Sequence, residues 1–245
     1  MIKKYLQKSI INRKLCICKN KLKQKINFGN LPLINNYKRR TNLTKYPVII
    51  SQCEKCQLIQ LKYSIKDKLL FPSDYSYLSG NSKEKLNNFR SILEKIQKFS
   101  KKNNVKILDI GSNDGSFLNL AKSRYSNILG IEPTNSANIA IAKGVKTIKE
   151  TLNFRLAKKI LSKYSKFDFI VATNILAQTN NLDEILKSIK LLLHNNGLLI
   201  IEVQYLYDLL DQKGFDSFHH EHIQYYTFSS IIKVLENYNL YVFDA

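Results

Sequence analysis

No run in this 245-residue chain approaches the ~20 consecutive apolar residues that cross a bilayer, so the sequence excludes an integral membrane protein built on such a helix. The start, MIKKYLQKSIINRKL, is basic but has neither an apolar h-region nor a small-residue cleavage site. No secretory signal is read, and a cytoplasmic location is expected. There are no internal repeats and no low-complexity linker. Acidic residues are scarce in one part of the chain only: residues 1–106 carry 5 Asp/Glu against 25 Lys/Arg, whereas residues 107–245 carry 14 of each. The net charge of +20 therefore resides in the first part.

Two readings of that excess stand open. One is an electrostatic surface for nucleic acid, phosphates or an acidic partner. The other is compositional drift, because 33 of the 39 cations are Lys and Asn occurs 25 times. Drift accounts for the Lys and Asn totals but not for the asymmetry. A hydrophobic share of 44% excludes a disordered basic tail, and the length allows one large domain or a domain with a small module.

The grammar of the chain changes along its length. Residues 1–60 lack helical periodicity and include the turn-rich stretch Asn27–Tyr37 around Gly29 and Pro32. Residues 61–82 read as a connector with clustered tyrosines. The spacing of Leu86, Phe89, Ile92, Leu93, Ile96 and Phe99 predicts an amphipathic helix over Lys83–Lys102. Strands and helices then alternate. The expected strands are Val105–Ile110, Asn127–Glu132, Val145–Ile148, Phe167–Thr173, Gly197–Val203 and, last, Leu240–Phe243. The expected helices start at Ser116 and cover Asn138–Lys143, Phe154–Tyr164, Leu182–Leu193 and Ser229–Tyr238. That alternation predicts an α/β fold with a doubly wound, mainly parallel, Rossmann-like sheet over residues 81–245, preceded by a small module over residues 1–80.

All four cysteines lie in the module, as Cys16-Ile-Cys18 and Cys53-Glu-Lys-Cys56. Two close pairs flanking an apolar, turn-rich stretch suit a structural zinc ion bound by four thiolates. A small module with little core would gain much of its folding energy from such a metal. Buried free thiols and a redox pair are the competing readings. The C-x-x-C does not open a helix in a thioredoxin-like unit, and disulfides are not expected in an unexported chain.

The first strand of the alternating region runs into Asp109-Ile-Gly111-Ser112-Asn113-Asp114-Gly115, and the second ends at Glu132. Ligands of doubly wound sheets bind outside the carboxyl ends of the strands. Gly111 permits a tight turn and close approach, and a carboxylate at Glu132 can accept both hydroxyls of a ribose. The dinucleotide pattern G-x-G-x-x-G is missing, and an acid inside the loop suits a sulfonium better than a pyrophosphate. That chemistry points to S-adenosylmethionine rather than NAD.

Four stretches resemble the sugar C-methyltransferases that carry an N-terminal zinc module: NFGNLPLINNY with YPVIISQCEKCQLIQL, LFPSDYSYLSGNS, ILDIGSNDGSFL with GIEP, and EVQYLYDLLDQKGFDSFHHEHIQYYT. The resemblance implies methylation of a carbon on a nucleotide-linked, typically dTDP-linked, deoxy-ketosugar. It also implies a continuation beyond Ala245, with a seventh sheet strand and a further domain that helps to hold the nucleotide-sugar. On that reading the chain is a truncated or split version, or a separate polypeptide supplies the rest.

His219-His220-Glu221-His222 follows the fifth strand, which places it by expectation at the same carboxyl-end face as the cofactor loop. Methylation beside a ketone needs a base for a weakly acidic C–H, and histidine is suited to that task. A solvated polar loop is the competing reading; a metal site is disfavoured because H-E-x-x-H spacing is absent. The resemblance makes His222 the general base, with Glu221 and His220 as close partners. It also brings Tyr75 and Tyr77 to the substrate. His219 stands where the family has tyrosine, and Gln178, in the run Asn174-Ile-Leu-Ala177-Gln178, where it usually has histidine. Asn174 is added to the cofactor contacts. Two further functions remain open: a nucleic-acid methyltransferase with a basic zinc-ribbon module, which lacks its usual [D/N]-P-P-[Y/F] loop here, and an inactive cofactor-binding fragment.

Overall fold

The computed structural model describes residues 8–34, 43–100 and 104–245. Asn35–Tyr37 of the turn-rich stretch and the last two residues of the expected Lys83–Lys102 helix lie outside the described residues. Contacts divide the chain into two units. One, the cysteine unit, comprises Met1–Pro72, Leu176–Asp183 and Val203–Ala245; the other, the sheet unit, comprises Ser73–Ile175 and Glu184–Glu202.

In the cysteine unit, β1 (Ile10–Asn12), β2 (Leu22–Pro32), β3 (Lys45–Cys53), β4 (Ile59–Leu61) and β5 (Tyr63–Ile65) occupy the N-terminal stretch. The expected connector thus begins with strand β5 and a short helix, Asp67–Leu70. β1 pairs with β5, while β2, β3, β4 and the late strand Gln224–Tyr225 form an antiparallel four-stranded sheet in that order from β2. β2 is its outer strand and exposes Lys23 and Lys25. Lysines there deter edge-to-edge pairing, so part of the basic excess has a structural use. One sheet face packs Val48, Ile50 and Leu61 with Leu206, Phe218 and Tyr225. The opposite face carries a row of buried polar side chains across three strands, Ser51, Gln60 and Gln224.

The sheet unit holds β6 (Lys106–Ile110), β7 (Asn127–Ile131), β8 (Thr147–Ile148), β9 (Phe167–Thr173) and β10 (Leu193–Glu202), all parallel in the order β10-β9-β6-β7-β8. The apolar runs ILDI, ILGI and FDFIVAT suit a sheet covered on both faces. Strand order reverses beside β6, so the loop after β6 opens at a topological switch point. The Lys83–Phe99 helix buries Phe89, Ile92 and Ile96 in a core with Ile107, Phe117 and Phe169. It stops at Ser100, whose extended backbone ends the helix one residue after Phe99. Asn153 caps the Phe154–Tyr164 helix by accepting the Leu156 amide at 2.8 Å.

Two further expectations are corrected. β10 starts at Leu193 rather than Gly197, because Leu193 pairs with Phe167 across a bulge. The expected last strand Leu240–Phe243 does not form: it joins none of the described sheets, Tyr241 and Phe243 are 72% and 67% exposed, and the Leu240 amide closes the preceding helix on Leu235. Among the described residues no helix is long and apolar enough to cross a membrane.

Candidate active site

The four cysteines converge. Their sulfurs all lie within 4.8 Å of one another, with Cys16–Cys56 at 3.5 Å and Cys18–Cys53 at 3.4 Å. A tetrahedron of Zn–S bonds has edges of about 3.8 Å, so the donor set and spacing fit one zinc ion. The irregular C-x-C works because Cys16–Lys19 forms its own turn, the Lys19 amide bonding Cys16 O, with Lys19 in the left-handed region at φ 63°. Gln57, also at φ 63°, follows Cys56 in the same way. One proton shared between close sulfurs pushes the Cys56 thiol down to about 5 and the Cys16 thiol up. Burial pushes the Cys53 thiol up as well, so Cys56 is the sulfur already disposed to be a thiolate, the form that binds a cation.

At the switch point, Gly111 has φ +70°, and a Cβ there would meet Ile175 Cδ1 at 2.1 Å. Glu132 accepts the amides of Asn113 (3.0 Å) and Thr134 (2.8 Å). Asn113 in turn donates its side-chain amide to Tyr77 O (3.0 Å) and accepts the Ser79 amide (2.9 Å), so the tyrosine segment is tied to the loop. Tyr75 is half-buried and Tyr77 is exposed; burial, then the charges of Glu202 and Asp114, push the Tyr77 hydroxyl up. Asp109 is held well above the usual carboxylate range by burial and then by Glu132, with Lys85 opposing. Lys85 and Asn88 both bond Glu202, whose carbonyl accepts the Asn174 amide at 2.7 Å.

The acid inside the loop does not offer its charge outward. Asp114 is paired with Lys143 at 2.9 Å and accepts the Ser116 amide, so it seats the loop. Its attraction for a sulfonium, argued from sequence, is compensated within the fold. The residues still fit an adenosyl cofactor on other grounds. The Oγ atoms of Ser112 and Ser136 are buried without a partner among the described residues, and Glu132 retains acceptor capacity beyond its two amide bonds.

The histidine loop belongs to the cysteine unit, and its described contacts are made there. His220 is 1% exposed, gives Nε2–H to Tyr46 O (3.1 Å) and packs edge-on to the Tyr46 ring. His222 Nδ1 lies 3.1 Å from Ser217 O; a carbonyl only accepts, so Nδ1 carries the proton and neutral His222 keeps a lone pair on Nε2. Burial pushes the His222 ring down, and the Ser217 contact opposes this. The His219 ring lies 4.2 Å from that of His222, tilted by 36°, and is pushed down to about 3 by burial and by its two histidine neighbours. Glu221 is buried and its amide donates to His219 Nδ1. Gln178 lies half-buried in the 176–183 segment of this unit.

Sequence reasoning missed Lys85, Glu202, Lys143, Arg13 and Asn180. Lysines are too common here to stand out, and Asn180 sits in a polar turn. Arg13 carried little signal either, because Arg90 and Arg124 each use a single nitrogen on an exposed partner whereas Arg13 uses its fork.

Residues 84–245 match the family described as a methyltransferase domain, and residues 16–71 match one described as a candidate zinc binding domain. The C-methyltransferase NovU of Streptomyces niveus is 25% identical over 226 residues, which cover 90% of this chain and 54% of NovU. The chain thus spans about half the length of that relative. A SAM-dependent methyltransferase structure from Archaeoglobus fulgidus aligns over 62% of this chain and 68% of its own, with TM-score 0.51 and 17% identity. A structure of the Trm112 methyltransferase activator complex from Haloferax volcanii aligns over 67% and 74%, with TM-score 0.51 and 10% identity. Both show a shared fold.

Proposed function

We propose that this chain, which belongs to the methyltransferase-domain family, methylates a carbon of a nucleotide-linked deoxy-ketosugar, with dTDP as the nucleotide and S-adenosylmethionine as the methyl donor. Bound S-adenosylmethionine supplies an electrophilic methyl group on a sulfonium. Gly111, Ser112, Asn113 and Gly115 are assigned to the backbone cradle for it, Glu132 to the ribose hydroxyls, and Asn174 to the rim. Asp114 is assigned to hold the loop through Lys143 and the Ser116 amide, and Asp109, near the end of β6, to the cofactor. Zinc on Cys16, Cys18, Cys53 and Cys56 is assigned a structural role.

His222 is assigned as the base that removes the proton beside the ketone, leaving an enolate to take the methyl. The observation that carries this is the Ser217 carbonyl on Nδ1, which fixes the tautomer and directs the basic lone pair to Nε2. Burial keeps the ring neutral, and therefore basic, near neutral pH. Glu221 and His220 are assigned to orient the loop, His219 to pack against the base, and Tyr75 and Tyr77 to contact the sugar.

The experiment is His222→Ala assayed with a dTDP-linked 4-keto deoxysugar. Solvent deuterium uptake beside the ketone and methyl transfer should both be lost, while S-adenosylhomocysteine affinity by calorimetry stays within about twofold. Undiminished deuterium uptake would remove His222 from the reaction.

A further inference from the structure

Within the cysteine unit, the segment 176–180 presents four carbonyls, and a different group takes each one. Leu176 O accepts the Tyr226 hydroxyl (2.9 Å), Ala177 O the Ile223 amide (2.7 Å), Thr179 O the Gln224 side-chain amide (3.1 Å), and Asn180 O the Arg13 guanidinium (3.0 Å). Three of those donors come from residues 223–226, directly after His222. The fourth comes from Arg13, three residues before Cys16.

Arg13 is the outermost clasp of this arrangement. Its Nη2 also donates to Asn180 Oδ1 (2.8 Å), its Nε to Ser64 Oγ (3.3 Å), and its backbone amide to Lys62 O (2.8 Å). Asn180 closes the ring by accepting the Ser64 hydroxyl (2.6 Å) and donating to Ile65 O (2.8 Å). Ile223 is held on both sides, its amide on Ala177 O and its carbonyl on the Leu61 amide (2.9 Å). A continuous chain of bonds therefore runs from Arg13 through Asn180 and the 176–180 segment to Ile223, next to His222. Lysine could not reproduce it, because a point charge lacks the fork that reaches Asn180 and Ser64 together.

We infer that Arg13 is a positioning residue: by clasping Asn180 it fixes the 176–180 segment, which in turn fixes residues 223–226, the segment that directly follows His222. The inference rests on the assignment of His222 as the base. It adds a role for the cysteine module that metal binding alone does not give, since the first knuckle, Cys16-Ile-Cys18, begins three residues after Arg13.

The test uses the full zinc-loaded chain and the variants Arg13→Gln and Asn180→Ala. Amide exchange is followed in residues 176–183 and 219–226, with β6 and β9 as internal controls. Both windows should exchange about tenfold or more faster, with the controls unchanged. Zinc content should stay near one per chain, and S-adenosylhomocysteine affinity within about twofold. With a dTDP-linked 4-keto deoxysugar, kcat should fall by about tenfold or more while the cofactor KM holds. Unchanged exchange in either window, or faster exchange with undiminished kcat, overturns the inference. If Arg13→Gln loses zinc, Asn180→Ala decides, because it leaves β1 and the first knuckle intact. If the wild-type chain does not turn over the sugar, the functional reading fails, and the exchange windows alone decide the clasp.

Discussion

The two units are built on opposite economies. The sheet unit is an apolar core wrapped around five parallel strands, assembled from pieces that follow one another in sequence with a single interruption. The cysteine unit gathers three distant stretches around a small core and fills the remaining space with polar groups: four thiols, three histidines, and the Ser51–Gln60–Gln224 row. Ser51 Oγ, Gln60 Nε2, Gln224 Oε1 and His220 Nδ1 are buried without a partner among the described residues. A unit of that kind depends on directional bonds, and on a metal if its four cysteines hold the zinc they fit, whereas the other depends on burial of apolar surface.

The sharpest way to break this contrast is to remove the metal. Cys53→Ser, or chelation, should unfold the cysteine unit, since structural zinc in small modules contributes about 10–16 kcal/mol. Binding of S-adenosylhomocysteine to the sheet unit should persist. A single melting transition at which both are lost would show the two to be one cooperative body. His222→Ala should lower methyl transfer by about 10²-fold or more without changing the melt, which separates chemistry from stability in the same unit.

The complementary change is Gly111→Ala. Its Cβ would clash with Ile175, and the residue needs positive φ, so cofactor affinity measured by calorimetry should fall by about tenfold or more while zinc content stays constant. Ile175→Ala added to it should restore only part of the loss, because the backbone strain remains.

Acid should weaken the cysteine unit through His219. His219 is held at about 3 against 6.5 in the unfolded chain, so the unfolded state binds the proton more readily between those values. Stability from this group is fully present above about pH 6.5 and is lost as pH falls toward 3. His219→Gln should flatten the pH dependence of the cysteine-unit melt and leave that of the sheet unit as it was. The smallest effect belongs to Asn153→Ala, which removes a helix cap from the sheet unit at a cost of about 1 kcal/mol in a denaturant titration.

The same contrast explains what could be read from the sequence. The runs ILDI and FDFIVAT announce buried parallel strands, and the Phe154–Tyr164 helix has the boundaries its periodicity predicts. The four cysteines were legible from their spacing. β2 was not, because a largely exposed edge strand carries no buried periodicity. The membership of residues 176–183 and 203–245 in the cysteine unit was also hidden, since it follows from tertiary bonds such as Tyr226 to Leu176 O, which leave no pattern in the chain. Leu240–Phe243 has the alternation of a strand but joins none of the described sheets.

Asn113 has a consequence for how damage would spread. Its backbone amide rests on Glu132, and its side chain grips Tyr77 O and the Ser79 amide. Its φ of 50° is one that few side chains tolerate. A single altered codon there would loosen Glu132 and the Tyr77–Ser79 segment together. If the proposed roles of Glu132 and Tyr77 hold, a defect in binding the methyl donor and a defect in binding the sugar would then arrive as one inherited phenotype.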